Sequence, residues 1–498
     1  MGCVKMEYLS TRNGDLRFSS AYVIAQGISE EGGLFVPENI PVLSAEDFGA
    51  LCSMKYIDRA AFILKRFLTD FSDEEIRYCV NGAYAGTFDN DDPAPLFNLN
   101  ENVGILELWH GPTCAFKDLA LQILPYFVTT AEKKISGGKK IVILVATSGD
   151  TGKAALEGFK DVPNTDIIVF YPSEGVSATQ KLQMASQEGS NVHVFGIKGN
   201  FDDAQSGVKK IFTDTSVIKK LAENKMAFSS ANSINWGRLA PQIVYYISAY
   251  CDMLNSGKDL SGGFNVTVPT GNFGNILAAY IAMAMGTPIN KLICASNSNN
   301  VLTDFINTGI YDKNRSFYTT ISPSMDILIS SNLERMLYFL SGDTNYVKLL
   351  EDSLSGSGKF EVNDCLKSKM QELFYGNCCT DEETIDTIAE TYKKYGYLCD
   401  THTAVAVGVY NKYVNDTGDL RPAVIASTAS PYKFSKNVLS AVSKDVPEDE
   451  FYAIDALHNV TNTSVPTPIA QLRNKKIRFS SVIDKTELKN AVFKTLGL

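Results

Sequence analysis

The chain has 498 residues, 45% of them hydrophobic and 20% charged, with a formal net charge of −10. That length and apolar content suit large cores and roughly three domains of ~150 residues. The acidic balance argues against a nucleic-acid partner or an anionic membrane surface, either of which needs a basic face. No stretch offers the ~20 apolar residues of a membrane span, and the start has no signal-peptide core, so the expected address is cytoplasmic.

Residues 1–95 mix short strand-like and helical pieces, include the turn-rich GISEEGGLFVPENIP, and end in the acidic, proline-containing NDDPAP, a probable boundary by composition. This N-terminal α+β module holds no catalytic constellation and reads as a packing or lid module. Residues 96–240 change to alternating strands and helices. The apolar run Lys140 to Thr147 is followed by SGDTG and the helical KAALEGFK, and the pattern recurs from Thr165 and from Val192. Uninterrupted apolar strands separated by amphipathic helices imply parallel sheets covered on both faces. A second α/β block, 241–498, supplies a strand from Phe264, the turn GNFGN, the apolar helix ILAAYIAMAMG and the strand KLICASN. Helices dominate from Ser330 to about Tyr397, and a last strand, Ala423 to Ser427, runs into TASPYKF. The expected fold class is α/β, with two open, mostly parallel sheet domains.

Ten cysteines show no CxxC pair and no matched histidine spacing, so neither a zinc site nor a disulfide framework is expected. Four histidines, at 110, 193, 402 and 458, give a metal centre little material, and none is expected.

The chemistry centres on Leu106 to Gln122, LELWHGPTCAFKDLALQ, which sets Lys117 among apolar, aromatic and small residues. Desolvation disfavours an ammonium and frees the lone pair, which equips a lysine to react with an aldehyde. The plain alternative is a helix start with Lys117 and Asp118 in solvent.

Open parallel sheets bind ligands beyond their strands' carboxyl ends, where helix N-termini present unpaired amides. Three turns occupy such ends. Ser148, Gly149, Asp150, Thr151 and Gly152 offer small residues, hydroxyls and amides suited to a carboxylate. Lys153 follows Gly152, yet Ala154 stands where a nucleotide P-loop requires Ser or Thr, so a P-loop reading is poor. Gly271, Asn272, Phe273, Gly274 and Asn275 allow close backbone approach at a helix opening, which suits a phosphate, or form an ordinary capped turn. Ser427 to Ser430 place hydroxyls at a third strand end. A fourth cluster, Asn232, Ser233, Asn235 and Arg238, could bind a second phosphate or simply cap a helix.

Taken together, HGPTCAFKDLALQ, TSGDTGKAA, SANSINWGRLAPQ and VPTGNFGN resemble the signature blocks of threonine synthase, a pyridoxal-phosphate enzyme of fold type II (tryptophan synthase β-like). GGLFVPENIP, FDDAQ, SPSMDILISSNLERML, DTHTAVA and STASPYKF match in family order across nearly the whole chain, in the manner of the longer-chain branch. The resemblance implies that Lys117 holds pyridoxal 5'-phosphate and shuttles protons. It implies that Gly271, Asn272, Phe273 and Gly274, with Asn275 adjoining, bind the cofactor phosphate, that Thr428 faces the pyridine nitrogen, and that Asp150 belongs to the cofactor-binding set, its charge near Lys117 helping to keep the aldimine or ammonium protonated. Ser148, Gly149, Thr151 and Gly152 would receive the substrate carboxylate. Asn232, Ser233, Asn235 and Arg238 would receive the phosphate of O-phosphohomoserine, which the family converts with water to threonine and phosphate. A monomer or homodimer is expected.

Cys114, Ala178, Ala204 and Ser430 depart from the commonest family pattern, and Ser430 bears most on the ring side and on water placement. A serine or threonine dehydratase, a phospho-lyase that adds no water, or a catalytically idle binding protein on the same scaffold are the alternatives.

Overall fold

The apolar run from Lys140 forms the strand Lys140–Ala146, near one edge of a five-stranded, all-parallel sheet. This computed structural model describes residues 5–147, 149–174 and 178–498, apart from the side chains at 178, 201 and 202. The strand order is Val482–Asp484, Val192–Lys198, Thr165–Pro172, Lys140–Ala146 and Met226–Ser229. Successive strand side chains point to opposite faces, and here each face has its own core. Ile141, Ile143 and Val145 join the main core, whereas Val142 and Leu144 pack with Val208, Ile211, Leu488 and Val492. Helices cover both sides, so Thr165–Pro172 is buried at every position.

The second sheet has six strands in the order Phe374–Cys378, Ile289–Ser296, Phe264–Pro269, Ala423–Ser427, Val103–Glu107 and Leu96–Asn98. Only the last pair is antiparallel. Sheet membership crosses the boundary expected at residue 240. Val103–Glu107 pairs with Ala423–Ser427, and Val482–Asp484 returns to the edge of the five-stranded sheet. Parallel pairing needs a crossover, so neighbours in a sheet need not be neighbours in the chain. The mainly helical stretch expected after Ser330 also contributes an edge strand, Phe374–Cys378.

The N-terminal residues form a three-stranded antiparallel sheet and the helices Ser20–Gln26, Ala45–Cys52, Tyr56–Phe67 and Asp73–Tyr84. Ser44 and Ser72 start two of these helices with reciprocal capping boxes. The module lies against the 20-residue helix Trp236–Asn255. The fully buried Trp236 ring meets Tyr8 and Phe67 of the module edge-on, each at 5.6 Å between centroids. Each large side chain so buried contributes about 2–3 kcal/mol. Among the described residues no helix is long and apolar enough to cross a membrane, and no cluster of His, Cys, Asp and Glu is arranged to hold a metal.

Candidate active site

Adjacent strand ends of the two sheets supply the site's segments. In the six-stranded sheet, Val103–Glu107, Ala423–Ser427 and Phe264–Pro269 are consecutive parallel strands, and their carboxyl ends lead to Lys117, Thr428 and the glycine turn. In the five-stranded sheet, Lys140–Ala146 and Met226–Ser229 are neighbours that lead to Thr147–Gly152 and to Ser230–Arg238.

Lys117 is 9% exposed, so the solvated-lysine alternative does not hold. It precedes a four-residue helix, Asp118–Leu121, and the approach is tightened by Cys114, whose φ of 56° lies in the left-handed region. Asp118 is fully buried and anchors this loop, accepting hydrogen bonds from Thr113 N (2.8 Å) and Thr113 Oγ1 (2.7 Å). Burial pushes its carboxyl up to about 6, against the opposing effect of those bonds and of Lys433. Lys117 Nζ lies 4.8 Å from the Phe116 ring centroid and 3.9 Å from Asp150 Oδ2. Burial pushes the amine down to about 8; Asp150 opposes this, while the positive charges of Lys433 and Arg238 add to it. For Asp150, burial acts upward, but Lys433 and then Lys117 outweigh it and hold the carboxyl well below its usual range.

The loop after Ala423–Ser427 is laced to the lysine loop. Phe116 N donates to Thr428 O (2.9 Å), Ser430 N donates to Cys114 O (3.1 Å), and Ala115 bridges Ala429. Thr428 is buried, and its hydroxyl makes no hydrogen bond among the described residues. The fully buried Ser430 hydroxyl accepts from Tyr432 N at 3.3 Å and serves as a cap.

In the glycine turn, Phe273 adopts φ 62° and Gly274 opens the helix Gly274–Ala284, turning its first amides outward. A Cβ on Gly271 would come 2.8 Å from Ser324 O, so only glycine lets the two backbones approach. Asn272 O accepts from Asn332 N (3.0 Å), and Gly271 O accepts from Ser330 Oγ (2.7 Å). Asn275 turns its Oδ1 to the hydroxyls of Tyr245 and Tyr246, both at 2.6 Å, and its buried Nδ2 has no partner among the described residues.

His402 braces the turn from behind. Its Nε2 accepts from Ser324 N at 3.1 Å, and its Nδ1 faces Asp400 Oδ1 at 3.0 Å. Nothing local in DTHTAVA marked this role, because it depends on a loop 78 residues away in sequence.

The loops of the five-stranded sheet differ in detail from the expected roles. Ser148 lies outside the described residues. Gly149 N and Gly152 N both donate to Thr147 Oγ1 at 3.0 Å, so these two amides organise the loop. The amides of Asp150 and Thr151, in the first turn of the helix Asp150–Phe159, have no intrahelical acceptor. Thr147 was hidden at the end of an apolar run. A hydroxyl immediately before a glycine turn was the signal available.

Asn235, expected at the substrate phosphate, is fully buried and internally satisfied. Its Oδ1 caps the helix by accepting from Gly237 N (2.9 Å), and its Nδ2 donates to Ile24 O (3.0 Å) and Ser230 O (2.9 Å). It clamps this loop to the N-terminal module and has no N–H left to offer a phosphate. Asn232 is exposed, and Ser233 is half-buried with its Oγ 3.5 Å from Ser331 Oγ. Arg335, also missed, is fully buried and donates to Phe35 O, Ile234 O and Asn332 Oδ1, joining the module to the loop before Trp236 and, through Asn332, to the glycine turn.

Arg238 is 4% exposed, donates from Nη1 to Ala231 O (2.8 Å), and leaves its buried Nε without a partner. No carboxylate among the described residues lies within ion-pair distance of it. Burial alone pushes the guanidinium down to about 10. A buried cation without a counter-ion calls for an anion.

An amine desolvated between two open parallel sheets, beside a glycine turn that opens a helix, defines a pyridoxal-phosphate enzyme of fold type II. The donors fit that cofactor: an amine for its aldehyde, helix amides for its phosphate, and an unpartnered hydroxyl at Thr428. The chain belongs to the threonine synthase family. Family models described as "Threonine synthase N terminus", "Pyridoxal-phosphate dependent enzyme" and "Threonine synthase, C-terminal" match residues 7–84, 93–348 and 403–492. Threonine synthase from Pseudomonas aeruginosa is 37% identical, covering 94% of this chain and 97% of its own. Human threonine synthase-like 1 is 41% identical over 87% of this chain, which spans 59% of that longer relative. The crystal structure of pyridoxal-phosphate-bound threonine synthase from Brucella melitensis superposes with a TM-score of 0.88 at 35% identity, covering 98% of this chain and 99% of its own. The yeast enzyme gives 0.89 at 32%, covering 99% of each.

Proposed function

We propose that the protein converts O-phospho-L-homoserine and water to L-threonine and phosphate, in the cytoplasm. One observation carries this reading: among the described residues the buried Arg238 guanidinium has no counter-ion and belongs to a different loop from the glycine turn, which supports a second phosphate beside Lys117 in addition to the cofactor's. A dehydratase substrate carries no phosphate and leaves that cation unanswered.

Pyridoxal phosphate, when bound, supplies an electron sink that acidifies the substrate's Cα and Cβ protons. The chain positions and moves those protons. The amides of Asp150 and Thr151 hold the substrate carboxylate, and Arg238, with Ser233 and Asn232 beside it, holds the substrate phosphate. Lys117 Nζ, pushed down to about 8, is neutral in an appreciable fraction near neutral pH; it takes the proton from Cα, releases it to solvent, and then takes one from Cβ as phosphate departs from Cγ. Lys117 gives its proton to Cγ, water adds its hydroxyl at Cβ and gives its remaining proton to the departed phosphate, and a proton from solvent returns to Cα. Thr428 would offer the pyridine nitrogen a hydroxyl, not a carboxylate, which would leave the ring uncharged.

A phospho-lyase that releases a keto acid is the second reading. It is favoured by Ser430, whose hydroxyl is fully buried and gives one lone pair to capping Tyr432 N, which leaves it less able to orient a water. Incubation with O-phosphohomoserine, measuring phosphate release and identifying the amino-acid product, decides between them. Threonine in equal amount to phosphate supports the proposal, whereas 2-oxobutyrate overturns it in favour of the lyase.

A further inference from the structure

We propose that Lys433 is a positioning residue that keeps the Lys117 amine in its neutral, reactive form by taking the Asp150 carboxylate for itself. The proposal rests on the reading that Lys117 captures the aldehyde cofactor.

Lys433 is buried, and its Nζ lies 2.8 Å from Asp150 Oδ1 while donating to Thr113 O at 2.9 Å. It therefore ties three segments together: the PYKF turn, the helix start at Asp150, and the loop that leads to Lys117. Lys117 faces the other oxygen of the same carboxylate at 3.9 Å, beyond hydrogen-bond distance.

Two amines thus compete for one buried carboxylate, and the nearer one holds it. The remaining ionisable neighbours do not restore the balance. Arg238 adds positive charge, Asp118 is engaged by Thr113, Cys114 is a buried thiol pushed up to about 12, and the His402 ring is engaged by Ser324 N and Asp400. With Lys433 and Arg238 charged, a proton on Lys117 would leave excess positive charge in a desolvated site. Lys117 is the group that gives its proton up. Asp150 without Lys433 would do the opposite, drawing a proton onto Lys117 and blunting its nucleophilicity.

The test uses the full-length apoenzyme and measures the rate of pyridoxal 5'-phosphate capture by absorbance as a function of pH. Lys433→Met is expected to move the midpoint upward by roughly one unit, slowing capture at pH 7 about tenfold. Lys433→Arg keeps the charge and is expected to return the midpoint to within a few tenths of a unit of the wild type. An unchanged or lowered midpoint in Lys433→Met overturns the proposal. If Lys433→Met does not fold, Asp150→Asn interrogates the same coupling: its midpoint must fall, and one that stays or rises overturns the proposal equally. A wild-type protein that captures no cofactor at Lys117 instead refutes the reading on which the proposal rests, so the two failures are distinguishable.

Discussion

Replacing Arg238 by glutamine separates the cost of a ligand-ready cation from its benefit. The guanidinium is buried with no counter-ion among the described residues, and its depression from 12.5 to about 10 corresponds to about 3 kcal/mol of unfavourable burial. A group with a lowered folded value and a positive charge carries that cost in full below the folded value and sheds it as pH rises toward the unfolded one, so at pH 7 the whole cost is present. Glutamine removes it, loses the 2.8 Å bond to Ala231 O worth about 1 kcal/mol, and should leave the ligand-free protein as stable as the wild type or up to about 2 kcal/mol more so. Binding moves the other way. Charge-assisted bonds to a phosphate contribute about 1.5–3 kcal/mol, so KM for the phosphorylated substrate should rise about 10- to 100-fold. Thermal melts with and without inorganic phosphate, together with initial rates, give both quantities. A variant that melts lower yet keeps the wild-type KM would show that Arg238 is a structural cation and refute the reasoning.

Asn235→Ala should lower stability by about 1–3 kcal/mol through its buried cap and clamp, with a smaller change in KM than Arg238→Gln; a selective KM defect in a fully stable variant would restore it as a ligand. Gly271→Ala places a Cβ 2.8 Å from Ser324 O and should weaken cofactor retention, read as faster loss of visible absorbance on dialysis; retention equal to the wild type counts against the close-approach argument. In the wild-type apoenzyme, cofactor capture should accelerate as pH rises through about 8, where the Lys117 amine loses its proton. A midpoint near 10, that of an ordinary lysine, would mean that the amine is solvated.

Legibility in the sequence followed the range of the interactions concerned. Continuous apolar runs such as Lys140–Ala146 and Phe264–Pro269 announce doubly covered strands, because burial on both faces removes the polar alternation, and both are strands here. Phe374–Cys378 was masked by tyrosine, glycine and asparagine within a helical stretch. The crossing of Val103–Glu107 and Val482–Asp484 into sheets remote in sequence leaves no local trace. At the site, Lys117 stood out through its apolar surround. Asn235 was ambiguous because a helix-capping asparagine and a ligand asparagine occupy the same kind of position. Lys433 was passed over because its burial arises only when the strand ends of two sheets converge, although it is the one cation in STASPYKF.

The N-terminal module acquires a physical role from its contacts. Ile24 O and Ala25 O accept from Asn235 and Ser229, and Phe35 O accepts from Arg335, so backbone carbonyls of this module hold the loop that presents Arg238. Arg12 reaches across to Glu334 at 2.7 Å and reinforces the same junction.

Three lysines are buried around the site, at positions 117, 153 and 433, and the account assigns the aldehyde to one of them. Borohydride reduction of the cofactor-loaded protein followed by peptide mass mapping should place the pyridoxyl label on Lys117. A label on Lys153 or Lys433 with Lys117 unmodified would contradict the account at its centre.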